Sequence, residues 1–292
     1  MNRIKGILYA AVSSSTFGLA PFFSITLLLA GFSAFEVLSY RWGVASIVLI
    51  VFGWLSGCNF RLAGKDWGVV FLLSLLRAVT SFSLIIAYQN IASGVASTIH
   101  FMYPLAVALA MMFFFREKKS LLVILAVLMS LLGAALLSLG ELEAKSCDTI
   151  VGLVAACISV FSYGGYIIGV RTTRAAQINS TVLTCYVMGM GAVLYLIGAM
   201  ATFGLHLVTD GYIWLIILGL ALPATAISNI TLVQAIKYAG PTLTSILGAM
   251  EPLTAVVIGV FVFKELFTVN SAVGIILILL AVSIVVFRRQ KS

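Results

Sequence analysis

The chain has 292 residues, of which 62% are hydrophobic and 9% are charged, and its formal net charge is +8. A soluble domain carries about 25% charged residues, so this chain has too few charges to cover a water-facing surface. The positive charge does not indicate nucleic-acid binding, because the basic residues stand in short clusters between apolar segments. The alternating pattern of an outer-membrane strand is absent. The composition therefore predicts an all-α polytopic membrane protein.

Apolar runs recur along the whole chain, and each is long enough to cross roughly 30 Å of hydrocarbon as a helix. They predict ten transmembrane helices, at 6–30, 33–56, 67–88, 93–115, 120–140, 149–170, 179–204, 211–234, 241–263 and 268–287. The intervening loops are too short for a soluble domain.

The basic residues test this count, because positive charge is retained on the cytoplasmic side of a membrane. With ten spans and both termini cytoplasmic, thirteen of the 17 lysines and arginines lie at cytoplasmic ends. Only Lys145 and Lys264 lie at outer ends, while Arg41 and Arg77 fall within spans. One span more or fewer would destroy the asymmetry for every later loop.

The fourth and ninth predicted spans reveal an internal repeat. A shift of 148 positions superposes Pro104 on Pro252 and Arg116-Glu117 on Lys264-Glu265. A shift of 146 places Gly6 on Gly152 and Tyr40 on Tyr186. The chain thus divides into five-helix units at 5–140 and 149–287. Because five is odd, the units must be inverted relative to each other, which is a common arrangement in transporters.

The proline-centred segment that ends in a basic residue and glutamate occurs twice, and it resembles the EamA-like families of the drug/metabolite transporter superfamily. The stretch Ser13–Gly18 is also similar to those families. The resemblance implies a ten-helix secondary transporter, often an exporter of amino acids or other metabolites, with a central cavity between the halves. The tryptophan typical of the first span is replaced by Phe17.

Two charged residues deep in predicted spans are candidates for the site, since a charge at mid-bilayer costs roughly 2.5–3.5 kcal/mol without a partner or a cavity. Glu251, followed by the kinking residue Pro252, could titrate a coupling proton or bind a substrate amine. Arg77 could hold a substrate carboxylate or be the standing partner of Glu251, and the sequence leaves both open. Arg41 is expected to reach the outer interface, which favours a structural role.

Other polar and aromatic residues in the spans complete the candidate set. His100 and Tyr103 share a helical face ahead of the predicted kink at Pro104. Their repeat mates are Gly248 and Glu251, so the two halves diverge where a site would lie. The remaining candidates lie in the first, sixth and eighth spans: Ser14, Phe17, Tyr163, Tyr166 and Asn229. Close helix packing is the alternative role for the small residues among them.

We therefore expect a secondary transporter of small metabolites that works by alternating access. The expected partners are a small-molecule substrate, the lipid bilayer and a coupling proton, with no cofactor, metal or nucleic acid. Carriage of nucleotide sugars or lipid-linked substrates is the alternative. An intramembrane enzyme is disfavoured because no nucleophile or metal motif is present, and a channel, which saturable and gradient-coupled flux would exclude, is also disfavoured. The expected location is a bacterial inner membrane, with monomer or homodimer left open.

Overall fold

The computed structural model describes residues 2–91, 93–117, 121–138, 148–202, 204–248, 250–251, 253–254 and 269–288. These residues form helices joined by short connections, and none of them forms a strand. In the first half the helices are α1 Asn2–Phe17, α2 Ala20–Leu29, α3 Ala34–Leu55, α4 Trp67–Asn90, α5 Ser93–His100, α6 Tyr103–Phe114 and α7 Leu121–Ser138. In the second half they are α8 Thr149–Thr172, α9 Ser180–Ala201, α10 Gly211–Ala221, α11 Ser228–Ala239, α12 Pro241–Leu247 and α13 Val269–Arg288.

Within the described residues, six helical segments are long and apolar enough to cross a membrane: Ile4–Leu29, Ala34–Leu55, Gly64–Asn90, Thr149–Thr172, Ser180–Ala201 and Gly211–Ala239. Shorter apolar helices cover Tyr103–Phe114, Leu121–Gly133 and Ala272–Ala281. Large apolar side chains such as Phe161 and Trp54 are exposed on these helices, as expected of a surface that faces lipid. The chain is an integral membrane protein. Pro252, Lys264 and Glu265 lie outside the described residues.

Helices of one half pack mainly against helices of the other. α3 packs along α9 and α7 along α13, so the second and fifth segments of each half contact their own repeat mates. α1 packs along α11, and α4 packs along α8, which is the same contact with the roles of the halves exchanged. The core of the molecule is therefore the interface between the repeats.

The packing at this interface is repeated at the level of single residues. A Cβ at Gly6 would lie 2.8 Å from the Ala239 Cβ, and a Cβ at Gly152 would lie 2.6 Å from the Ile91 Cγ2. Gly6 and Gly152 are repeat mates, as are Ile91 and Ala239. Only glycine permits these close helix contacts, so both copies of the contact need it.

The N-terminal ends of α3 and α9, which correspond to the second predicted span of each half, are also related. Ser33 and Asn179, which are 146 positions apart, cap α3 and α9. The Ser33 Oγ accepts a hydrogen bond from the Glu36 amide at 3.3 Å, and the Asn179 Oδ1 accepts one from the Thr181 amide at 2.9 Å. These bonds satisfy backbone donors that a helix start leaves unpaired.

A tyrosine on each of these helices then holds a loop of the other half. The Tyr186 hydroxyl donates to the Phe60 carbonyl at 2.8 Å, and the Tyr40 hydroxyl donates to the His206 carbonyl. Phe60 and His206 are again 146 positions apart. The pair of contacts fixes the two halves against each other at both ends of α3 and α9.

Several segments predicted as continuous spans are interrupted within the described residues, and the ninth is among them because α12 ends at Leu247. The first breaks between α1 and α2, and the fourth breaks at Phe101–Met102 between α5 and α6. Pro104 lies in the first turn of α6, where its missing N–H removes no helical hydrogen bond. The break therefore lies before Pro104, and the helix is not kinked at the proline itself. Between α10 and α11 the chain forms a π-helix over Leu222–Ile227, which contains Pro223.

Candidate functional site

Arg77 lies at the centre of the molecule, in the middle of α4, and is 1% exposed. Its Nε donates a hydrogen bond to the Asn229 Oδ1 at 3.1 Å. Its Nη1 is buried and has no hydrogen-bond partner among the described residues. A guanidinium group seldom stays buried with an unpaired donor, so this atom is free to bind an acceptor that enters the site.

Aromatic rings surround the Arg77 guanidinium. Its central carbon lies 4.9 Å from the centre of the Tyr163 ring, 5.2 Å from that of Phe17 and 5.9 Å from that of Tyr166. Each distance falls within the range of a cation–π interaction, which partly offsets the cost of burying the charge. The rings come from α1 and α8, so both halves contribute to this surrounding.

Arg41 lies beside this cluster, which contradicts the expectation that it reaches the outer interface. It is 5% exposed, and its Nε donates to the Thr225 Oγ1 at 2.6 Å. Its guanidinium carbon lies 5.5 Å from the centre of the Phe17 ring, the same ring that Arg77 contacts. Two guanidinium groups therefore flank one aromatic side chain in the core.

The π-helix connects the two arginines. Thr225 lies within it and binds Arg41, while the Asn229 Nδ2 donates to the Thr225 carbonyl at 2.7 Å. Asn229 in turn accepts from Arg77, so Arg41, Thr225, Asn229 and Arg77 form one chain of hydrogen bonds. π-Helical turns are frequent at functional sites. Thr225 is not among the candidates predicted from the sequence; the signal that could have revealed it is Pro223 in the middle of an apolar span.

Glu251 is 6% exposed and lies near the break between α1 and α2. A Cβ at Gly18 would lie 2.7 Å from the Glu251 carbonyl oxygen, so the end of α1 packs directly on the Glu251 backbone. Among the described residues, ion pairs within 4 Å join Arg174 to Asp66 and Glu36 to His206, and none joins Glu251 to Arg77. Arg77 and Glu251 are thus not joined by a direct ion pair in this structure.

His100 lies at the end of α5 and is 3% exposed. Its Nδ1 lies 2.9 Å from the Ser159 Oγ, and its ring stacks on Tyr163 with ring centres 5.3 Å apart. Its Nε2 is buried without a hydrogen-bond partner in the described part of the chain. His100 and Arg77 thus contact the same tyrosine ring.

Tyr103 and Ser14 complete the predicted set. The Tyr103 ring meets Tyr163 edge-on at 4.6 Å between centres, and its hydroxyl occupies the space where a side chain on Gly248 would begin. Ser14 is buried on α1, about one turn before the Phe17 ring. The residues that ring contacts and hydrogen bonds bring together are Phe17, Arg77, His100, Tyr103, Tyr163, Tyr166 and Asn229.

The described residues contain no group of three His, Cys, Asp or Glu side chains that could hold a metal ion. The polar groups of the core can instead bind and release a small molecule through hydrogen bonds, charge and ring contacts.

The family model of the EamA-like transporter family matches this chain twice, over residues 4–139 and 150–287. The chain belongs to the EamA-like transporter family. This family has a two-repeat architecture and indicates a small-molecule transporter of the drug/metabolite type rather than an enzyme. The family prediction made from the repeated proline motif is confirmed.

A solved structure described as "Crystal structure of protein" shares the fold of this EamA-like chain. The TM-score is 0.81 and the sequence identity is 19%, and the match covers 100% of this chain and 99% of the other. No curated protein sequence matches this chain. The similarity thus supports the architecture and leaves the substrate to the chemistry of the core.

Proposed function

We propose that this protein is a ten-helix secondary transporter that exports small organic carboxylates, amino acids or related compounds, by alternating access. The observation that carries the proposal is the Arg77 guanidinium, which is buried among three aromatic rings with its Nη1 unpaired among the described residues. A planar guanidinium matches a carboxylate in geometry and charge. The surrounding rings supply apolar surface for the rest of the substrate.

The exchange of helix contacts between the halves supports the alternating mechanism. α1 packs on α11 as α4 packs on α8, so the two halves can trade conformations and keep equivalent contacts. An odd number of spans in each half makes the halves inverted, and the distribution of basic residues supports ten spans with both termini cytoplasmic. We place the protein in a bacterial inner membrane on the family resemblance.

Glu251 has one of two roles in this proposal. Its carboxylate binds the substrate's ammonium group, or it takes up the coupling proton while Arg77 binds the substrate. Both roles rest on the burial of Glu251, which is 6% exposed, in the same core as Arg77.

A nucleotide sugar or another phosphate-bearing substrate is the second candidate. The observation that favours it is Arg41, which adds a second guanidinium beside Arg77 in the core. A site with two arginines matches the charge of a phosphate-bearing substrate better than the charge of a substrate with a single carboxylate.

The test is efflux of labelled substrates from proteoliposomes that contain the purified protein. We expect transport of one or more standard L-amino acids, with a loss of about 100-fold or more in Arg77→Ala and a partial loss in Arg77→Lys. The matched control is Arg61→Ala, which removes an exposed arginine and should transport normally. Transport of nucleotide sugars alone would favour the second candidate, and normal amino-acid transport by Arg77→Ala would refute the proposed site.

A further inference from the structure

Ser159 determines which nitrogen of the buried His100 ring carries the proton. The Ser159 Oγ lies 2.6 Å from the Ala156 carbonyl oxygen. Two oxygen atoms approach this closely only through a hydrogen bond, and a carbonyl oxygen cannot donate, so the Ser159 hydroxyl must donate to it. The lone pairs of the Ser159 oxygen then face the His100 Nδ1 at 2.9 Å.

The His100 Nδ1 must therefore be the donor in its contact with Ser159. In a neutral imidazole the two nitrogens have opposite roles, so a protonated Nδ1 leaves Nε2 as an acceptor. The polar partner of the ring in the described structure is a neutral hydroxyl, which suits the neutral ring. The buried Nε2, which has no partner among the described residues, is thus an unpaired acceptor.

The His100 acceptor and the Arg77 donor lie at one aromatic side chain. The His100 ring stacks on Tyr163, and the Arg77 guanidinium lies 4.9 Å from the centre of the same ring. A small molecule that reaches both groups would meet donors from Arg77 and an acceptor from His100. A ligand group that cannot donate a hydrogen bond would leave the His100 Nε2 unpaired. Its own lone pair would also face the lone pair of the Nε2.

We propose that His100 selects the substrate through a hydrogen bond that the substrate donates to its Nε2, and that Ser159 positions this acceptor. The substrate class is a carboxylate with an ammonium or hydroxyl group near it, as in 2-amino and 2-hydroxy acids. A 2-oxo acid of the same size is disfavoured, because its carbonyl oxygen cannot donate. This inference rests on the proposed transport of small carboxylates.

The experiment uses the L-amino acid that the wild-type protein transports fastest, together with its 2-hydroxy and 2-oxo analogues, in the same proteoliposomes. The 2-hydroxy and 2-oxo analogues carry equal charge, so Glu251 affects both alike. The ratio of their kcat/KM values therefore reports whether the substrate donates or accepts the hydrogen bond. We expect the wild type to prefer the 2-hydroxy acid by at least about fivefold in kcat/KM, the effect of one hydrogen bond and one unpaired buried group.

Ser159→Ala removes the acceptor of the Nδ1 proton, and the ring can then carry its proton on Nε2 and donate to a 2-oxo group. We expect the preference to fall to about twofold or less, through a relative gain of the 2-oxo acid. The matched control is Ser162→Ala on the same helix, because the Ser162 Oγ hydrogen-bonds Thr80 at 2.9 Å and not His100. Ser162→Ala should keep the wild-type ratio.

Equal transport of the 2-hydroxy and 2-oxo acids by the wild type would overturn the inference, and so would an unchanged ratio in Ser159→Ala. Should Ser159→Ala fail to fold, imidazole ¹⁵N chemical shifts of the wild-type protein decide: protonated Nδ1 is expected, and protonated Nε2 would overturn the inference. Two other outcomes would instead refute the proposed function itself. Either the wild-type protein transports no L-amino acid, or the Arg77→Ala variant transports L-amino acids as well as the wild type does.

Discussion

The contact surface between the two repeats and the centre of the site differ in how well they keep the repeat symmetry. At the contact surface Gly6 matches Gly152 and Tyr40 matches Tyr186, and each pair makes equivalent contacts. At the centre Arg77 matches Thr225, a pair that shares neither charge nor shape.

The same loss of symmetry holds for other polar members of the centre. His100 matches Gly248, Tyr103 matches Glu251, and Asn229 matches Ser81. A symmetric contact surface allows two halves to exchange conformations, whereas an asymmetric centre can bind a molecule whose two ends differ. Under the proposed function, the comparison separates the residues expected to support motion from those expected to select the substrate.

The largest effect is expected from filling the symmetric contacts. Gly6→Leu and Gly152→Leu each place a side chain against backbone or side-chain atoms under 3 Å away, and each should lower stability by about 1–3 kcal/mol. Melting temperature in detergent, followed by size-exclusion fluorescence, measures this.

The control is Gly43→Ala, because nothing lies within 4 Å of a Cβ at that position. It should not lower stability, and the higher helix propensity of alanine should raise it by at most about 1 kcal/mol. If only one of the two leucine variants were destabilised, the two contacts would not be equivalent and the first half of the comparison would fail.

A smaller effect, confined to substrate binding, is expected at the centre. Asn229→Ala removes the acceptor of the Arg77 Nε and the link to Thr225, so the guanidinium loses its fixed orientation. We expect about a tenfold rise in KM for the transported amino acid, with folded yield close to that of the wild type.

Thr231→Ala is its matched control on α11, because the Thr231 hydroxyl bonds to the Ile227 carbonyl one turn earlier at 2.7 Å. It should leave KM unchanged. A KM that is insensitive to Asn229→Ala would show that the hydrogen-bond chain between the arginines does not position Arg77 for the substrate.

Much of this division could be predicted from the sequence. Counting residues from the start of each span gives the depth of Arg77, His100 and Glu251, since each residue advances a helix by about 1.5 Å. The repeat offsets match Gly6 with Gly152 and Tyr40 with Tyr186 from the order of residues alone, and this match requires no knowledge of how the halves pack.

Other features depend on the rotation of helices, which depth does not give. The extra residue in the π-helical turn at Leu222–Ile227 rotates the rest of its span by roughly 100° relative to a regular helix. With the helix rotated in this way, Thr225 and Asn229 contact the arginines. Arg41 therefore hydrogen-bonds a buried threonine and does not reach the outer interface. The pairing of His100 with Ser159 joins two halves of the chain, so no local pattern contains it.

The central claim, that the Arg77 guanidinium binds the substrate's carboxylate, is tested most directly by comparing the transported L-amino acid with its carboxamide in a binding titration. The wild type should bind the acid about 100-fold more tightly than the amide, and Arg77→Ala should reduce that ratio to near one. Equal binding of acid and amide by the wild type, or an unchanged ratio in Arg77→Ala, would contradict the claim.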